Sequence, residues 1–163
     1  MTTTFQTIAS PLGELLVVAD GDGLTDLILP GEDTLSPADA TQGGAIVDGV
    51  VKQLEAWFAG KRTDFDVPLA PRGTDFQQGV WRALCDVPFG ATATYGEIAQ
   101  AVGRPTATRA VGAANGRNPI PIIIPCHRVI GANGALTGYS GGGGLVTKRW
   151  LLDHEHGVTR LIA

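Results

Sequence analysis

Residues 94–115 read TYGEIAQAVGRPTATRAVGAAN. Thr94 followed three residues on by Glu97 has the spacing of a capping box. The threonine oxygen takes a backbone N–H of the first helical turn, and the glutamate returns to the N–H of the cap. The helix it opens is short, because Gly103 offers a stop and Arg104 and Pro105 make a turn. A second helix is expected over about 106–115, built almost wholly from Ala, Gly, Thr and Val around Arg109. Helix, tight glycine-containing turn, helix is the helix-turn-helix outline, which a plain αα-hairpin in a core shares. The second helix favours the former. Small side chains add little core volume but let a helix approach a surface such as a DNA backbone closely, and Arg104, Arg109 and Arg117 are the cations at hand.

Just upstream, Thr74 and Gln77 form another capping box, and Phe76, Val80, Trp81 and Leu84 make one apolar stripe behind it. Cys85, four residues after Trp81, is expected to be a small core residue. Pro88 and Gly90 end this helix. Before residue 70 the texture is β. TFQTIAS, ELLVVAD and LTDLILP are short runs rich in Val, Ile, Leu and Thr, separated by turn-formers at 11–13 and 20–23, so a three-stranded meander is expected. Residues 31–44 read as loop. Ile46, Val47, Val50, Val51, Leu54, Trp57 and Phe58 follow helical spacing up to Gly60. Residues 64–69 alternate weakly, as one more strand would. The loose cluster of Asp20, Asp22, Asp26, Glu32 and Asp33 reads as solvated turn residues rather than a metal site.

Downstream lies IPIIIPCHRVI, residues 120–130. Pro119, Pro121 and Pro125 restrict the backbone and the isoleucines favour extended structure, so the segment is expected to be a rigid, buried arm that fixes Cys126 in place. His127 and Arg128 supply a cationic setting that lowers a thiol pKa. A thiol of ordinary pKa is a few per cent thiolate at neutral pH, so full ionisation gains roughly 30-fold, about 2 kcal/mol. Most of any rate must therefore come from positioning. Neighbours in an extended chain point to opposite faces, so direct Cys126–His127 contact is awkward, and a water or a bend would have to join them. His127 then needs an acceptor on its far nitrogen. In the last helix, near 146–156, Glu155 shares a face with Leu151 and Leu152, where a carboxylate is costly without a partner, and it is the natural candidate.

The bulk numbers narrow the classes. The 163 residues are enough for one good core or two small domains. With 44% hydrophobic and 17% charged residues the chain is globular. No run approaches the roughly 18 apolar residues of a membrane span, and no signal peptide is evident, so a cytoplasmic protein is expected. Two isolated cysteines and three histidines offer neither a disulfide framework nor zinc spacing. A net charge of −4 means that any nucleic-acid surface is a local patch.

PCHRVIG, preceded by NPIPIII and followed by LTGYSGG and KRWLLDHE, resembles the O6-alkylguanine-DNA alkyltransferases, and FQQGVWRAL, YGEIA and RAVGAAN match as well. The likeness is close from Gly73 to about Gly157 and looser before residue 70. It implies an α/β (α+β) protein, with a small N-terminal β-meander and helix over 1–70 and a helical alkyltransferase domain over 73–163 whose helix-turn-helix lies at about 94–116. It also implies direct, irreversible transfer of an alkyl group from O6 of guanine to Cys126, with O4 of thymine left open. The partner is double-stranded DNA containing O6-alkylguanine. The protein is expected to act as a monomer, with no cofactor, no metal and no membrane. By the same resemblance the second helix enters the minor groove through Ala110, Gly112, Ala113 and Ala114, while Arg109 fills the gap left by the flipped nucleotide. Tyr95 donates a proton towards the guanine ring, His127 is a water-mediated base held by Glu155, and Asn118 braces the turn before the arm. The backbones of Cys126 and Val129 read the base edge, and Tyr139 and Ser140 line the pocket. Four glycines at 141–144, where about two are expected, lengthen the rim of that pocket.

Three rival readings have less support. Alkyltransferase-like lesion binders replace the reactive cysteine, which is intact here. A cysteine hydrolase built on Cys126, His127 and Glu155 lacks an identifiable oxyanion-hole motif. A transcriptional regulator needs base-reading side chains, and the second helix offers mainly Arg109, Asn115 and alanines.

Overall fold

The computed structural model describes residues 2–32, 40–137 and 143–162, with side chains as far as Val158. The chain divides into two compact units, Met1–Arg72 and Gly73–Ala163.

In the first unit, β1 (Thr4–Ser10), β2 (Gly13–Ala19) and β3 (Leu24–Ile28) form the antiparallel meander. The β1–β2 hairpin closes between Ser10 and Gly13, where Gly13 takes φ 111° and the Ser10 hydroxyl donates to the Gly13 carbonyl at 2.6 Å. The second turn is held by Asp20, whose Oδ1 accepts from the N–H groups of Asp22 at 2.8 Å and Gly23 at 3.1 Å. Asp20 of the acidic patch is thus turn chemistry, whereas Asp26 lies within β3; Asp33 lies outside the described residues. The sheet gains a fourth member, β4 (Thr41–Gln42), parallel to β1, giving the order β3-β2-β1-β4. It falls in the segment expected to be loop. Residues 64–69 in turn provide only an isolated bridge between Leu24 and Leu69 rather than a strand, with Leu24 N–H on the Pro68 carbonyl at 2.8 Å.

Helix α1 (Ala45–Phe58) packs on β1 and β2 through Val47, Val50, Leu54 and Trp57, all fully buried, each contributing roughly 1.5–3 kcal/mol of apolar burial. It stops where Gly60 turns left-handed at φ 74° and Lys61 N–H reaches back to the Ala56 carbonyl at 2.9 Å.

The second unit begins with α2 (Asp75–Cys85), whose capping box between Thr74 and Gln77 is formed in both directions. Val80, Trp81 and Leu84 are buried, and the Trp81 indole N–H donates to the Ala114 carbonyl at 2.9 Å. Cys85 is exposed, not a core residue. The stripe centres on positions 80, 81 and 84, and one further residue turns the helix by about 100°, off the edge of that stripe. The next capping box, Thr94 with Glu97, opens α3 (Tyr95–Ala101). Gly103 at φ 75° makes the turn, and α4 (Thr108–Gly116) packs against both α2 and α3. A short parallel pair, β5 (Ala93–Thr94) with β6 (Val129–Ile130), sets the start of α3 beside the chain leaving Cys126. Helix α5 (Leu145–Ile162) lies against the turn that carries Cys126.

Candidate active site

Residues 120–129 are buried, but the arm is not extended. Prolines cannot donate to a sheet ladder, so the backbone closes on itself instead. Ile124 N–H bonds the Ile120 carbonyl at 2.9 Å, and Ile123 N–H bonds the Pro121 carbonyl at 2.9 Å. The second of these encloses Ile122 at φ 73°, the rare and strained hand of γ-turn for a β-branched residue. Pro125, at φ −81° and ψ 64°, centres an inverse γ-turn closed by Cys126 N–H on the Ile124 carbonyl at 2.7 Å. Cys126, His127 and Arg128 then form a single 3-10 turn. Successive side chains on such a turn diverge by about 120°, so the adjacent Cys126 and His127 leave the backbone in different directions.

Two asparagines, Asn115 in the last turn of α4 and Asn118 just beyond it, hold this arm. Asn118 donates to the Ile124 carbonyl at 2.7 Å and accepts from Ile120 N–H at 2.9 Å. Asn115, 2% exposed, donates to the Cys126 carbonyl at 3.4 Å.

Behind the cysteine, His127 Nε2 lies 2.8 Å from Glu155 Oε2, and both side chains are buried. Arg128 binds the same carboxylate through Nε at 3.0 and 3.1 Å and through its terminal nitrogen at 2.7 Å. Its other terminal nitrogen donates to the Val87 carbonyl at 2.7 Å. Arg128 therefore spends its charge on Glu155 rather than simply offering it to Cys126. Burial alone would raise the Glu155 pKa, but the hydrogen bonds from His127 and Arg128, and then their charges, outweigh it and bring it to about 2. Burial pushes the His127 pKa below its ordinary value, against the pull of Glu155. A neutral imidazole facing a fixed carboxylate carries its proton on Nε2, which leaves Nδ1 as an acceptor. Nδ1 is buried and has no hydrogen-bond partner among the described residues.

Lys148 was not singled out from the sequence, although it precedes Leu151, Leu152 and Glu155 by three, four and seven residues, the spacing of one helical face. It is fully buried, and its ammonium donates to the carbonyls of Val129 and, at 2.8 Å, Thr137. Burial lowers its pKa, and a negative sulfur at Cys126 pushes it back up. The Thr137 carbonyl also receives the Tyr95 hydroxyl, at 2.9 Å. Tyr95 thereby spans from the rim of the site to α4, where a Cβ on Gly112 would meet its ring at 3.9 Å. Val129 is buried, with its carbonyl directed at Lys148.

On α4, Arg109, Ala110 and Ala113 are exposed and Gly112 is half-buried. Ala114 does not belong to that face: it is 3% exposed and its carbonyl is taken by Trp81. Tyr139, Ser140 and the first half of the glycine run lie outside the described residues. Among the described residues no cluster of three or more His, Cys, Asp or Glu could hold a metal ion, and no helix is long and apolar enough to cross a membrane.

Residues 75–157 match the family model described as 6-O-methylguanine DNA methyltransferase, DNA binding domain. Residues 4–71 match the ribonuclease-like domain of the same methyltransferase. The chain is 54% identical over 153 residues to a methylated-DNA--protein-cysteine methyltransferase of Mycobacterium bovis, covering 93% of this chain and 91% of that one. It is 49% identical over 158 residues to a protein of the same name from Methanosarcina barkeri, covering 96% and 99%. The crystal structure of Mycobacterium tuberculosis OGT in complex with DNA superposes with a TM-score of 0.86 at 51% identity, covering 95% of this chain and 94% of that one. Both halves of the chain and the arm that carries Cys126 therefore lead to one conclusion: the chain belongs to the 6-O-methylguanine DNA methyltransferase family.

Proposed function

We propose that this protein repairs DNA by moving an alkyl group from O6 of guanine onto Cys126. The observation that carries the reading is the buried Glu155–His127 pair, which leaves an acceptor nitrogen free beside a cysteine held by proline-braced turns. The thiol proton passes to His127 Nδ1 through a water, and Glu155 stabilises the resulting imidazolium. The Cys126 sulfur then attacks the alkyl carbon. The S–C bond forms as the C–O6 bond breaks, and the electron pair leaves on the guanine. Tyr95 releases its hydroxyl from the Thr137 carbonyl and donates a proton towards the ring. The thioether product is stable, so each molecule reacts once, and the reaction draws on no cofactor.

The exposed face of α4, with Arg109, Ala110, Gly112 and Ala113, is the proposed contact with the minor groove of double-stranded DNA. Arg109 takes the space of the extruded base, whose unstacking costs a few kcal/mol. Asn118 keeps the arm in register, and the backbone at Val129, with Tyr139 and Ser140, bounds the base. The protein works as a monomer in the cytoplasm on this reading.

Intact mass after incubation with a duplex carrying O6-methylguanine tests it. One methyl group per protein is expected, placed on Cys126 by peptide mapping and absent from Cys126→Ala. Wild type that gains no mass, or that turns over repeatedly, overturns the reading.

A further inference from the structure

Helix α4 presents two faces. The outer one carries Arg109, Ala110 and Ala113, and the inner one buries Val111 and Ala114 in apolar packing. Asn115 interrupts that inner face with a carboxamide that is 2% exposed. Its Nδ2 donates to the Cys126 carbonyl, and its Oδ1 has no partner among the described residues. A buried amide whose oxygen has no partner among the described residues is a cost to stability that an alanine or leucine would avoid, so its presence calls for a role. The contact is direct: one side chain joins the helix expected to meet DNA to the backbone of the nucleophile. At 3.4 Å it is also long, with room to tighten when α4 is engaged, as hydrogen bonds at unliganded active sites do. Local turns already hold Cys126 from both sides, its N–H on the Ile124 carbonyl and its carbonyl taking the Val129 N–H, but none of them reaches α4; Asn115 supplies that link.

We infer that Asn115 is a positioning residue: through its hydrogen bond to the Cys126 carbonyl, α4 sets the aim of the sulfur when DNA is bound. This rests on the transfer reading above. It separates placement from ionisation, since Asn115 bonds the backbone and leaves the His127–Glu155 pair untouched.

The test uses the full chain as wild type, Asn115→Leu and Asn115→Asp, with folding checked by circular dichroism and Asn115→Ser replacing any variant that fails to fold. Asp keeps the size and one oxygen but removes the donor. Three quantities are measured: single-turnover transfer from a duplex carrying O6-methylguanine at saturating protein, binding of the undamaged duplex by anisotropy, and alkylation of Cys126 by iodoacetamide against pH without DNA. The expected result is a transfer rate lower by roughly tenfold to a hundredfold in both variants, with duplex affinity unchanged. The iodoacetamide pH profile of Asn115→Leu should match wild type, because a small, mobile reagent does not need an aimed sulfur. Wild-type transfer rates in either variant overturn the inference, and so does a loss of iodoacetamide reactivity equal to the loss of transfer. A wild type that transfers nothing overturns the transfer reading first and this inference with it.

Discussion

Glu155 shows how much one carboxylate governs. Its folded pKa of about 2 lies below the ordinary 4.5, so the folded state gains stability from its ionisation at any pH above 4.5 and loses that gain as the pH falls towards 2. His127 acts in the same direction at higher pH: with its pKa held below 6.5 in the folded state, protonation of the unfolded chain begins to favour unfolding once the pH drops past 6.5. Thermal unfolding followed from pH 7.5 downwards should therefore show a falling midpoint well before general acid denaturation. Glu155→Gln should cost roughly 3 kcal/mol at neutral pH by leaving Arg128 unpaired, and should flatten the acid limb. Glu155 was legible in the sequence because Leu151 and Leu152 mark its face. Lys148 shares that spacing and was passed over, since a lysine in an amphipathic helix ordinarily reads as solvent-facing; only the two carbonyls it meets explain its burial. Asn115 went unread as an arm residue for a similar reason, because its acceptor is eleven residues away.

At the level of elements, local chemistry was readable where it is complete within a few residues. The two capping boxes and the glycine turn between α3 and α4 are of this kind. The arm was misjudged because isoleucine favours strands, while the prolines beside it deny a strand its donors and leave γ-turns as the way to close the backbone. Strand β4 could not be read, since two residues become a strand only through a partner, here β1, more than thirty positions away. Helix α2 offers a test of packing. A Cβ on Gly73 would lie 2.4 Å from the Trp81 ring, and that ring is 2% exposed and tied to the Ala114 carbonyl. Gly73→Ala should destabilise the protein by about 1–3 kcal/mol in urea unfolding, with the tryptophan emission reporting a displaced indole.

For the molecule as a whole, the charge balance sets the strength of its proposed grip on DNA. The net charge is −4, and Arg104, Arg109 and Arg117 are the exposed cations around α4. Three phosphate contacts would give a logarithmic salt dependence with a slope of about −3, shallow for a DNA-binding protein. Titrations of duplex binding across salt concentrations should find it, and a slope far steeper would reveal a contact surface beyond α4. The change of texture near residue 70 was visible in composition alone, because short β-branched runs give way there to capped helices. The outward-facing thiol at Cys85 has a practical consequence. Its own partial burial and then Asp86 raise its pKa, which leaves it sluggish at neutral pH on a chain whose other thiol is proposed to be quick. Each preparation thus carries an internal reference, and comparing the labelling of positions 85 and 126 within one sample cancels errors in concentration, reagent strength and timing.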